Sequence, residues 1–351
     1  MRPFITIIIN NYNYEQFLVQ SIESALNQSY EDTEVIVVDD ASSDSSKDII
    51  TRYAGRVTSV FKENGGQASA LNAGFKAGKG EVFMLLDADD YLFPEAAQQV
   101  AEVWAPDTSL IQSRLELVDV QGQRIDFYPA PELSFDQGNV VHLLLQKGRY
   151  RTTVTTGMSL SRQVIEKISP IPEPEFRISA DGYLATVAPL YGQVVSIDRP
   201  IAARRKHSHN LWASSHSSNS GQNFRRAINH DFVRYRFLSL HAKQQGLALG
   251  VNPELKDYSH LIQRLSSLRI NTQQHPIPSD STTMLVYKGI ASVFRYSKLP
   301  IKRKFVLGLW FICAGLLPQK LAKLAIDWLL FPQSRGSTVD IVVKKIRFAT
   351  R

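Results

Sequence analysis

The first 105 residues alternate short, continuous apolar runs with stretches whose apolar positions recur at helical spacing. Ile5–Ile9, Glu34–Val38, Val57–Phe61 and Val82–Leu86 are β-rich runs of strand length, the mark of strands buried on both faces. Between them, Glu15–Asn27 sets Phe17, Ile22, Ala25 and Leu26 at helical intervals, and Ser45–Tyr53, Gln67–Ala77 and Pro94–Trp104 read as further helices. This order of strand and helix predicts an α/β fold: a doubly wound, mainly parallel sheet with helices on both faces. No Gly-x-Gly-x-x-Gly follows the first strand, which weakens a dinucleotide-binding reading.

The pattern loosens over residues 110–210. Strands are expected near Leu110–Val120, Thr153–Ser161 and Gly192–Ile197, and a helix over Asp181–Leu190. Pro170, Pro172 and Pro174 mark an extended loop. Ser214–Gly221 is polar and reads as a hinge, with helical segments after it at Phe224–Gln245 and Pro253–Leu268. Further on, Lys302-Arg303-Lys304 precede an apolar run from Phe305 to Leu317 that stops at Pro318. A second helix then places Leu321, Leu324, Ala325, Trp328 and Leu329 on one face, with Lys320, Lys323 and Asp327 on another. An apolar helix beside a cationic one fits an interfacial membrane anchor. A core helix with a solvated cationic face is the alternative. The expected organisation is a catalytic domain over 1–213, a polar linker over 214–222 and a mostly helical region over 223–351, its membrane-associating part at about 298–331.

Composition sharpens this picture. At 44% hydrophobic and 21% charged, the chain has the make-up of a folded soluble protein. Its single cysteine, Cys313, excludes an intramolecular disulfide and fits a reducing compartment. Phe4–Ile9 is too short for the apolar core of a secretory signal, and no stretch reaches the ~20 apolar residues of a spanning helix. The expectation is a cytoplasmic protein, peripheral on the cytoplasmic face of a membrane. The net charge of +7 is uneven: residues 285–351 hold 13 Lys/Arg and two acids, a net of +11, while the preceding 284 residues net −4. That asymmetry points to one local anionic partner, an anionic membrane surface, rather than to nucleic acid.

The chemistry concentrates at strand ends. Asn10-Asn11-Tyr12-Asn13 follows the first strand, Asp39-Asp40-Ala41-Ser42-Ser43-Asp44 the second, Glu63-Asn64-Gly65-Gly66-Gln67 the third and Asp87-Ala88-Asp89-Asp90 the fourth. In a parallel sheet all four fall on one edge, where ligands of open α/β sheets sit. Carboxylates crowded at a strand end repel one another and cost desolvation, penalties a divalent cation relieves. Taken alone, Asp87–Asp90 is either such a metal and phosphate site or an acidic turn with Asp90 capping a helix.

Together these segments, and Glu63-Asn64-Gly65-Gly66-Gln67-Ala68-Ser69-Ala70-Leu71-Asn72-Ala73-Gly74 among them, resemble the family 2 glycosyltransferases, whose fold is the GT-A type. The resemblance covers about the first 210 residues. It implies a UDP- or dTDP-sugar donor and Mn²⁺ or Mg²⁺. Carried over, Tyr12 stacks on the nucleobase with Asn10 beside it, and Asp39 accepts the N3–H of uracil or thymine. Gly66 leads into a helix whose first N–H groups face phosphate. Asp87 contacts the ribose and Asp89 ligates the metal. Asp181, in Ile178-Ser179-Ala180-Asp181-Gly182, matches the general base, although Ala180 stands where the family carries Glu. The segment Arg205-Lys206-His207-Ser208-His209-Asn210 matches the family's Arg-x-His-x-x-Asn, so Arg205 is expected on the diphosphate and His207 on the metal.

The reading is thus a metal-dependent, inverting transferase that moves a sugar to a hydroxyl of a glycan or lipid-linked acceptor. A nucleotidyltransferase would carry a Gly-rich, cationic loop after the first strand, where this chain has Asn-Asn-Tyr-Asn. The remaining alternative is a catalytically inactive nucleotide-sugar binder or membrane scaffold of the same fold, against which Asp89 and Asp181 argue.

Overall fold

The computed structural model describes residues 2–207 and 221–331. The chain divides into two compact units, one of Met1–Leu145, Arg149–His207 and Arg236–Leu249, the other of Gln146–Gly148, Ser208–Tyr235 and Gly250–Arg351. The expected polar linker lies almost wholly outside the described residues.

The first unit is built on β1 (Ile5–Asn11), α1 (Glu15–Leu26), β2 (Thr33–Asp39), α2 (Ser46–Thr51), β3 (Thr58–Phe61), α3 (Gln67–Ala77) and β4 (Val82–Asp87). Ile5, Ile7, Ile8 and Ile9 are fully buried, as are Val37, Val38, Leu85 and Leu86, which explains the unbroken apolar runs. β1 pairs in parallel with β2 and β4, and β2 with β3. The register sets Asn10 beside both Val38 and Asp87, and Asn11 beside Asp39. Parallel pairing therefore delivers the polar strand ends to one edge. α3 lies close over this sheet because Gly74 has no side chain; a Cβ there would stand 2.6 Å from Ile8 Cγ2.

The chain continues through β5 (Tyr91–Leu92), α4 (Ala96–Val103), β6 (Thr108–Val118), β7 (Arg124–Tyr128), α5 (Val141–Lys147), β8 (Met158–Ser161), α6 (Arg162–Ile168), α7 (Ala180–Val187) and β9 (Gln193–Arg205). All strands join one sheet in the order β3-β2-β1-β4-β8-β6-β9-β5, with β7 on β6. β8 runs antiparallel to β4 and β6, and β9 parallel to β6. The α/β class and parallel core agree with expectation. Three details differ. The strand expected over Thr153–Ser161 begins only at Met158, because Thr155–Gly157 forms a 3-10 turn. β9 runs eight residues beyond Ile197, since Asp198-Arg199-Pro200 is absorbed as strand irregularities rather than forming a turn. β5, β7, α5 and α6 add elements that the apolar pattern does not announce.

In the second unit, α8 (Gln222–Gln244) contributes its first part, followed by α9 (Tyr258–Ile270), α10 (Thr282–Tyr296), α11 (Ile301–Leu316) and α12 (Gln319–Leu330). Its core gathers Leu261, Leu265, Leu285, Trp310, Phe311 and Ile326. On α12 Ala322 and Ile326 are fully buried, whereas Leu321 and Leu324, on the face expected to be apolar, are exposed.

Candidate active site

β4 ends in a tight acidic turn in which the Asp90 N–H donates to Asp87 O at 3.0 Å and the Ala88 N–H to Asn10 O at 3.2 Å. Carboxylate oxygens of Asp87, Asp89 and Asp90 lie within 4.8 Å of one another. Burial, then the charge of Asp89, push the Asp87 carboxyl up to about 7, against the hydrogen bond from Asn10. Burial and the same neighbours hold Asp90 well above the usual carboxylate range. His207 Nε2 stands 2.9 Å from Asp89 Oδ2, with its ring 5.2 Å from that of Phe17 and 5.8 Å from that of Tyr14. Clustered, partly desolvated carboxylates with an imidazole are the donor set of a hard divalent cation, so the residues fit Mn²⁺ or Mg²⁺. Tyr14, not singled out in the sequence, faces the same field: burial and then Asp89, Asp87 and Asp90 raise its hydroxyl above the ordinary range.

The strand-end residues divide into a few that are presented and several that are committed. Tyr12 is 49% exposed. The Asn10 amide donates to Asp87 Oδ1 at 2.9 Å and to Leu86 O, so it orients the acid beside it. Buried Asp39 accepts from Asn11 Nδ2 at 2.8 Å and from the Ser42 N–H at 3.0 Å. Several N–H groups at the start of α3 are committed within the protein. Those of Gly65 and Gly66 donate to the two oxygens of Asp40, at 2.9 and 2.6 Å, and that of Gln67 donates to Arg177 O. Gly66 is required for its backbone: its φ is +85°, and a Cβ would meet Arg177 O at 2.3 Å. Asn72 exchanges hydrogen bonds with the backbone of Ile171, within the proline-marked segment.

Arg205, expected on the diphosphate, is held inside the protein. Its guanidinium donates to Asp89 O at 3.0 Å, Val120 O at 3.1 Å and Gln20 Oε1 at 2.6 Å, and lies 4.6 Å from the Phe17 ring centre. With its donors spent inside the protein and the residue buried, it braces the acidic turn and leaves no fork for a diphosphate. The neighbouring Arg204 stands 5.9 Å from the Tyr128 ring centre, and its charge acts weakly on Asp87 and Asp90.

Asp181 lies in the first turn of α7, where its Oδ1 accepts from the Gly182 N–H, and its charge reaches Asp87. Asp87 and the start of α7, where Asp181 lies, are joined by Gln67, to which the sequence assigned no role. Its Nε2 donates to Asp87 Oδ1 at 3.0 Å and Thr155 Oγ1 at 3.1 Å, while its Oε1 accepts the Ala180 N–H at 3.0 Å. Thr156, also unassigned, donates its hydroxyl to Asp90 at 2.5 Å. Asn210 lies outside the described residues.

A family model described as glycosyl transferase family 2 matches residues 6–162. An uncharacterised glycosyltransferase of Nostoc sp. (strain PCC 7120) is 35% identical over 226 residues, spanning 62% of this chain and 69% of that protein. The chain belongs to glycosyl transferase family 2. As a family 2 member it also resembles an uncharacterised glycosyltransferase of Rickettsia typhi, 44% identical over 92 residues, 26% of this chain and 29% of that protein, so the match spans under a third of that relative. Among solved structures, S. aureus TarS 1-349 in complex with UDP-GlcNAc aligns over 95% of this chain and 93% of its own with a TM-score of 0.51 at 15% identity, a likeness of GT-A fold.

Proposed function

We propose that this family 2 glycosyltransferase is inverting and metal-dependent, and moves a sugar from a UDP- or dTDP-sugar to a hydroxyl of a glycan or lipid-linked acceptor. The observation that carries this is the group Asp87, Asp89 and Asp90 with His207 on Asp89, the charge of Asp181 acting on Asp87. Asp89 and His207 would hold Mn²⁺ or Mg²⁺, which when bound neutralises charge on the departing diphosphate. Asp87, oriented by Asn10 and Gln67, receives the ribose hydroxyls, and Arg204 faces the phosphates. Tyr12 offers a face to the base. Asp39, with two of its roughly four lone-pair directions engaged by Asn11 and Ser42, accepts an N3–H that uracil and thymine have and cytosine lacks. Asp181 removes the proton of the attacking hydroxyl. A carboxylate base acting from the side opposite the leaving group gives inversion in one displacement.

In this reading residues 1–213 are the catalytic domain, 214–222 a linker, and the cationic region over 223–351 places the enzyme on the cytoplasmic face of a membrane against anionic lipid. The described helices include none long and apolar enough to cross a bilayer.

The test is thermal unfolding with UDP, dTDP, GDP, CDP and AMP, each with and without Mn²⁺. A ligand at a hundredfold its Kd adds ~2.7 kcal/mol to apparent stability. The expected result is a Mn²⁺-dependent shift with UDP or dTDP that Asp89→Ala abolishes. No shift with any nucleotide from folded protein removes the reading.

A further inference from the structure

The outer side of α11 is apolar where a helix facing water is polar. Gly308, Trp310, Phe311, Ala314 and Gly315 form its inward face. The opposite arc, about 140° wide at the helical repeat, carries Ile301, Phe305, Val306, Leu309, Ile312 and Leu316, of which Phe305, Leu309 and Leu316 are 64%, 61% and 58% exposed. No charged residue occurs between Phe305 and Leu317. The patch continues through Phe294 of α10, whose ring centre is 5.5 Å from that of Phe305, and through exposed Leu321 and Leu324 of α12. Lys302 lies on the same arc in the first turn, and from Phe305 onward the arc carries no charge. Single exposed leucines are ordinary, whereas an apolar arc along about three turns of helix marks a covered surface.

The rim says what covers it. Lys298, Lys302, Arg303 and Lys304 cluster at the start of α11, Lys320 and Lys323 lie on α12, and Asp327 is the only acid from residue 281 to 331. A second copy docked through the same face would oppose cation to cation. At 16 residues, α11 is shorter than the ~20 a span requires and ends before Pro318. We infer that the outer face of α11, extended by Leu321 and Leu324, docks into an anionic lipid surface: α11 lies in the interfacial plane, its apolar side chains among the acyl chains and its cations at headgroup level. This deepens the peripheral placement proposed above and is independent of the transfer chemistry.

The experiment is co-sedimentation of the full chain with phosphatidylglycerol–phosphatidylcholine vesicles and with phosphatidylcholine vesicles. Wild type is expected to bind the anionic vesicles. The triple change Phe305→Ser, Leu309→Ser, Leu316→Ser should weaken binding at least about tenfold, with unfolding temperature and UDP–Mn²⁺ response unchanged. Lys302→Gln, Arg303→Gln and Lys304→Gln together should cost about fivefold per cation. Folded wild type that ignores anionic vesicles overturns the inference, as does a triple serine variant that binds like wild type. A dimer that the serine changes dissolve, without vesicle binding, assigns the face to a second copy and overturns it too. Vesicle binding without any nucleotide response leaves this inference standing and removes the transferase reading.

Discussion

Asp181 and Gln67 carry separable parts of the site. Asp181→Asn keeps the shape and the Gly182 contact but cannot accept the hydroxyl proton, so kcat for nucleotide release from the donor should fall about a hundredfold to ten-thousandfold, with nucleotide affinity retained. Gln67→Leu keeps the volume yet unties Asp87, Thr155 and the start of α7. Its expected signature is a kcat about ten- to a hundredfold lower with a smaller change in nucleotide Kd. Equal loss in both constants would mean Gln67 supports only the fold. Part of this arrangement was legible in residue types at strand ends: Asp87 and Asp89 fall in one cluster, His207 stands on Asp89, and the charge of Asp181 acts on Asp87. What was not legible is direction. Arg204 and Arg205 are indistinguishable in a sequence, and whether an N–H faces a ligand or Asp40 is a tertiary fact. Gln67, Thr155 and Thr156 carry no motif of their own, because neutral amides and hydroxyls are common everywhere.

At the scale of elements, the start of α3 is held by geometry that only glycine supplies. Gly66→Ala sets a side chain at positive φ and against Arg177 O, and should lower unfolding free energy by about 1–3 kcal/mol. A urea titration measures this, and a loss below about 0.5 kcal/mol would show that the Arg177 strand of contacts yields. β1, β2 and β4 were readable because burial on both faces leaves an unbroken apolar run. β9 was only half readable: Pro200 and its polar neighbours look like a turn, and only pairing with β6 keeps them extended. Which side of α12 packs was not legible for a related reason. Its pattern has apolar residues on more than one side, and the sequence alone does not say which side meets α9 and α11.

Across the molecule, stability should depend on pH through His241, set between the hydroxyls of Tyr183 at 3.1 Å and Tyr191 at 2.8 Å. Burial lowers its pKa below the ordinary 6.5. The unfolded chain therefore takes up this proton first as pH falls, and the folded state loses stability from about pH 6.5 downward. The advantage of wild type over His241→Gln should shrink as unfolding is measured from about pH 7.5 to about pH 5.5; a constant difference would show that His241 titrates alike in both states.

One further consequence lies in the uneven pairing of β6 with β9. Ser113 stands opposite Ile197, Arg114 opposite Pro200 and Leu115 opposite Ala202, so β9 spends three extra residues along the way. Side chains alternate across a strand, and an odd count reverses the phase of everything downstream. Those irregularities decide that Arg204 stands over Tyr128 while Arg205 packs on Phe17 and Tyr91 and donates to Asp89 O. Removing a single residue between Asp198 and Ile201 would carry Arg205 into the place Arg204 now holds and set Lys206 where Arg205 braces the acidic turn, with no change to either arginine.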